Sequence, residues 1–249
     1  MKRDLNPFRY VRWLARDAMV WPLRVFLLLG ALLSLIVWRF ATNMHIPRAA
    51  PGGASISDSA QAVQLGVWGT CLVVAILMTI GGIAGTDLER GYYRSWFSKP
   101  MSAWWYYLQR FLLGAIVIAI LPLYLGLGLK LGLGSSTGVT WVLMGQFGLS
   151  YLLVASATFL LSIFIARGWL FVFLIAILQN VIEQMVKSGF APKWLGWMHD
   201  ALPPFQLLGV SNPLPHGGPL WHILGYGAGM LVAALLLLRY RPLGAGTAA

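Results

Sequence analysis

Acidic side chains are almost missing from this sequence: Asp and Glu number 7 among 249 residues, against 18 Lys and Arg. Cysteine occurs once, as Cys71, which rules out an intrachain disulfide framework and a cysteine-rich metal site. The histidines are His45, His199, His216 and His222, and none is followed by glutamate, so a His-Glu-x-x-His zinc site is absent. Charged residues of both signs make up only 10% of the chain, too few to coat a water-facing globule. What fills their place is apolar: 59% of the residues are hydrophobic and the mean hydropathy is +0.74. That excess excludes disorder and argues against a nucleic-acid-binding domain, leaving an integral membrane protein.

A hydrocarbon core of about 30 Å takes about 20 apolar residues per helix. Six runs of that kind stand at 22–40, 62–84, 106–128, 139–166, 169–186 and 219–238. Because lipid leaves no backbone group unpaired, they predict an all-α bundle of six transmembrane helices. With the N-terminus in the cytoplasm, 13 basic residues fall inside, from Lys2, Arg3 and Arg9 through Arg90, Arg94, Lys99 and Arg110 to Arg167, Arg239 and Arg241. Only Arg39, Arg48, Lys130, Lys187 and Lys193 fall outside. The bias puts both termini in the cytoplasm and makes the net charge of +11 a matter of topology.

Residues 1–21 are too polar for a signal peptide, so the first span is expected to be retained. Within them 7–20 has Phe8, Val11, Ala15 and Ala18 on one side and Arg9, Arg12 and Arg16 on another. Two readings stand, an amphipathic interfacial helix or a basic tail that fixes orientation. The permease domain is then 22–238 and the cytoplasmic tail 239–249. Two outer stretches are too long for turns: 41–61, rich in Pro, Gly and Ser, and 187–218, which carries Trp194, Trp197, Pro203, Pro204 and Phe205. The second predicts short helices lying in, or dipping into, the outer interface.

Charge and aromatic rings are densest between the second and third spans, at 85–110, with the coupling segment read as 85–105. Asp87, Glu89, Arg90 and Arg94 alternate with Leu88, Tyr92, Tyr93, Trp96 and Phe97, and Pro100 interrupts the run. An ordinary interfacial loop and a short membrane-pinned helix offering charge to a protein partner both fit that composition. In its details, Asp87, Glu89, Arg90 and Gly91 followed by Ser98, Lys99, Pro100 and Ser102, the segment resembles the cytoplasmic coupling segment of type-2 ABC exporter permeases. The likeness is specific over 85–111 and otherwise lies in the layout. It implies the membrane subunit of an ATP-driven exporter in a bacterial cytoplasmic membrane, paired with a second permease chain and with separate P-loop ABC ATPase subunits. ATP and Mg would bind those subunits, and no cofactor is expected in this chain. ATPase coupling would fall to Asp87, Leu88, Glu89, Arg90, Gly91, Tyr92 and Arg94. The lysine context agrees: the lysines follow Met1, Ser98, Leu129, Val186 and Pro192, so a Gly-Lys-Ser/Thr P-loop is absent.

The resemblance places the substrate path on the first, second and fifth spans. On the fifth, Gln179, Asn180 and Glu183, at i, i+1 and i+4, are expected to cluster on one side of an otherwise apolar helix toward its outer end and are candidate path residues, with Glu183 alternatively at the outer interface. Gln64, Thr70, Cys71 and Thr79 of the second span either line the path or make helix-packing hydrogen bonds. Two other functions stand as alternatives. A stand-alone channel or carrier needs no ATPase partner. A rhomboid-like intramembrane serine protease would use the serines of 134–138 with His222, Gly225 and Gly229. Its Gly-x-Ser-Gly motif is interrupted here by Thr137, and the second span lacks His or Asn for an oxyanion, so His222 and those glycines read as packing elements.

Overall fold

The computed structural model describes residues 102–133, 137–165, 167–188, 192–208 and 214–240, and scattered positions between 11 and 87; for 125–133, 137–140, 193 and 206 it describes the backbone alone. The described residues are helical, with no strand among them. Helix α1 is Ala103–Leu133, α2 Thr137–Ser150, α3 Ser156–Ser162, α4 Gly168–Lys187, α5 Lys193–Ala201 and α6 Gly218–Tyr240. A π-helical turn, Tyr151–Ala155, joins α2 to α3, and a 3₁₀ turn, Phe205–Leu208, follows α5.

Four stretches are long and apolar enough to cross a membrane: Ala103–Tyr124, Trp141–Ser162, Gly168–Lys187 and Gly218–Tyr240. They coincide with the last four of the six apolar runs, and the chain is a membrane-embedded helical protein. Single described positions in the first two runs, among them Leu28, Leu32, Ile76 and Ile80, are helical as well, and the rest of those runs lies outside the described residues. Of the expected interfacial helix, Val11, Ala15, Arg16 and Val20 are described and helical; Ala15 packs on the core and Arg16 is exposed.

Two boundaries differ from expectation for local reasons. The third span starts at Ala103, where the Ser102 carbonyl accepts the Tyr106 N–H at 3.2 Å, so the aromatic pairs Trp104–Trp105 and Tyr106–Tyr107 belong to the helix. The fourth run stays apolar to Ala166, yet the helix stops at Ser162. There the Ile163 and Phe164 N–H groups turn back to Leu160 and Leu161, and Gly168 comes so close that an added Cβ would lie 2.8 Å from the Leu161 carbonyl carbon. Hydropathy does not register such a turn, because every residue in it is apolar.

Helix α1 packs against α2 and the π turn, α6 against α1, the π turn and α3, and α4 against α3. Ring contacts of Tyr107 with Phe159 at 6.1 Å and of Phe111 with Tyr151 at 5.1 Å set α1 antiparallel to its neighbour. Close approach is bought by glycine at two places: a Cβ on Gly114 would strike the Tyr151 hydroxyl, and one on Gly227 would lie 2.6 Å from Leu152 Cγ. The Trp141–Ser162 stretch is the hub, 67% buried, whereas α4 and α6 are 17% buried and show exposed apolar sides such as Phe173, Leu174 and Leu178, or Val232 and Leu236. Exposed Trp141, Trp194, Trp197 and Trp221 gather where α2 and α6 begin and α4 ends, the amphipathic placement of an interfacial belt.

Candidate functional site

At the end of the bundle where α1 begins, Asp87 meets the helix. Tyr107 donates its hydroxyl to Asp87 Oδ2 at 3.2 Å, and Arg110 Nη1 lies 3.5 Å from the same oxygen. The side chains of Arg110 and Asp87 are 24% and 14% exposed, so the pair sits partly out of water, where losing one member strands the other. Asp87 thus ties the chain after the second apolar run to α1, a role within the chain that composition did not reveal. Arg110 and Tyr107 stand in the dense 85–110 segment, but nothing in their spacing marked them as partners of Asp87. The other expected coupling residues, Leu88, Glu89, Arg90, Gly91, Tyr92 and Arg94, lie outside the described residues.

The three polar residues of α4 do not act as one group. Successive residues of a helix are about 100° apart, so Asn180 turns away from Gln179 while Glu183 stays within about 40° of it. Gln179 is fully buried, and its Oε1 accepts the Phe205 N–H at 3.2 Å. Its Nε2 has no partner among the described residues. Asn180 is exposed and donates to the Ala176 carbonyl at 2.9 Å, one turn back on its own helix. Glu183 pairs with Lys187 at 2.7 Å, a contact across one turn whose lysine is 73% exposed.

The Gln179 contact brings the 3₁₀ turn after α5 into the bundle. The 3₁₀ turn packs against α4 and α2, with Pro204 and Phe205 buried. Gln179 is eight residues before the end of α4, roughly 12 Å along the axis. On the other flank Leu214 lies against Gly145, whose added Cβ would come within 2.7 Å of Leu214 Cδ1. Gly145 is also eight residues inside its helix, so two independent contacts give one depth. Phe205 and Leu214 therefore both reach into the bundle, and Pro204 and Phe205 are buried there. Helix α5 stays at the rim, held by Tyr226, which donates its hydroxyl to the Ala201 carbonyl at 2.6 Å.

The remaining candidates separate. Thr79 donates to Ala75 and Ile76 carbonyls of its own helix, and Gln64, Thr70 and Cys71 lie outside the described residues. His222 stacks edge-on with Tyr226 at 4.9 Å, and Ser136 is outside the described residues. Gly225 and Gly229, expected to pack a neighbour, have nothing within 4 Å of an added Cβ; Gly227 is the contact glycine, because the face turned to Leu152 passes through it. Among the described residues no His, Cys, Asp and Glu group of three could hold a metal. In comparisons with protein-family models, curated proteins and solved structures, nothing matches this chain.

Proposed function

We propose that the chain is the membrane-spanning subunit of an ATP-driven exporter of the kind its 85–111 segment resembles. Six spans with both termini in a bacterial cytoplasm complete the fold, two permease chains form the path, and separate P-loop ATPase subunits hydrolyse ATP. The observation that carries the reading is the tie from Asp87 to Tyr107 and Arg110. A partner that pushes on the 85–105 segment needs a stiff connection to a span, and a partly buried charge-assisted bond supplies one. Movement of the segment would then tilt the third span and, through α1, the fourth-span hub, exchanging inward- and outward-open states. The basic residues Arg110, Arg167 and Arg239 at that end favour its cytoplasmic placement.

The test separates the two roles within the segment. Glu89→Lys with Arg94→Glu should abolish ATPase association while the subunit stays folded in detergent. Asp87→Asn should destabilise the subunit itself. Undiminished ATPase association in the Glu89/Arg94 variant would refute the coupling assignment.

A further inference from the structure

The hub helix is polar inside. Gln146, Ser150, Ser156, Thr158 and Ser162 are all buried, at 1%, 3%, 0%, 0% and 0% exposure. A helical serine or threonine ordinarily donates to a carbonyl three or four residues back, as Ser162 does to Phe159 at 2.7 Å. The hydroxyls of Ser150, Ser156 and Thr158 make no such bond and find no partner among the described residues. Groups in that state are where buried water is found.

The π turn decides which of them line up. Eight residues of uninterrupted α-helix leave a side chain about 80° from its starting face; a π turn takes up one extra residue and reduces the offset to about 20°. The ring contacts bear this out: Tyr151 and Phe159, eight apart across the turn, both reach Phe111, at 5.1 Å and 6.3 Å. The same interval separates Ser150 from Thr158. Adding the one-turn steps from Gln146 and to Ser162 gives a single buried polar line, flanking the aromatic line that faces α1, with Ser156 off it.

We propose that this line is a hydrated track through the bundle, holding water and admitting small uncharged hydrogen-bonding molecules. Amides and hydroxyls both donate and accept, which suits water and hydroxyl-bearing solutes; the line has no carboxylate or ammonium to match an ion. The proposal does not depend on the exporter reading.

Thiols report water, since only the thiolate reacts with methanethiosulfonates. In a Cys71→Ser background, Ser150→Cys and Thr158→Cys should react with the neutral hydroxyethyl reagent at least about 10-fold faster than Leu153→Cys, a buried apolar position on the same helix. The anionic sulfonatoethyl reagent should be slower at both. Rates equal to the Leu153 control would overturn the track, and equal rates with the two reagents would overturn its preference for uncharged molecules. Should a cysteine variant misfold, Thr158→Val gives a second reading. Removing a dry, unpartnered hydroxyl raises the melting temperature, whereas removing one that binds water lowers it, and a rise would contradict the proposal.

Discussion

Gln179 and Tyr151 each use a side-chain polar group to hold the backbone of another element, at Phe205 and at Phe111, where the Tyr151 hydroxyl donates at 2.6 Å. Gln179→Leu should lower stability in detergent by about 0.6 to 2 kcal/mol, the range for an interhelical hydrogen bond in a membrane protein, and loosen the 3₁₀ turn to proteolysis. Glu183→Gln, which breaks only an exposed pair, should change the melting point little. Gly114→Ala should cost about 1 to 3 kcal/mol by forcing Tyr151 off Phe111, while Gly229→Ala, with open space around it, should be neutral or slightly stabilising. Thermal unfolding of the variants checks the ordering. The polarity of Gln179 was legible as an interruption in an apolar run. Its partner was not, because Phe205 is 26 residues away and offers only a backbone N–H, which every non-proline residue has.

Element by element, length and apolarity were enough to read the last four spans, since a bilayer sets helix length independently of tertiary detail. Between α4 and α6 the prolines and tryptophans pointed to short helices, and α5 and the 3₁₀ turn are there. The π turn was not, because Tyr-Leu-Leu-Val-Ala suits an α-helix equally well and the extra residue is imposed by packing on α1 and α6. Deleting Leu153 should let the hub run as plain α-helix with Phe159 still facing α1, because seven α-helical residues return a side chain to within about 20° of its starting face, as eight do across the π turn, whereas inserting a further alanine after Leu153 should rotate α3 by about 100°. Folded yield from membranes should collapse for the insertion, whereas the deletion and Leu153→Ala should each leave a weakened but assembled protein.

On the scale of the whole molecule, a buried hub is ringed by helices that show lipid-facing sides, and Asp87 links that bundle to the charged segment beside it. Asp87→Asn and Arg110→Leu should each destabilise the chain by about 1 to 3 kcal/mol, because each removes the charge-assisted contact between two partly buried side chains. The exchange Asp87→Arg with Arg110→Asp should recover part of that loss. The central claim is that this bundle works under a separate ATPase, and purification from native membranes in mild detergent tests it most directly. The account predicts that the chain brings down a P-loop ATPase with nucleotide hydrolysis, and that Glu89→Lys with Arg94→Glu removes it without altering the melting point. A folded chain that purifies with no ATPase, or one whose ATPase survives those substitutions, would contradict it.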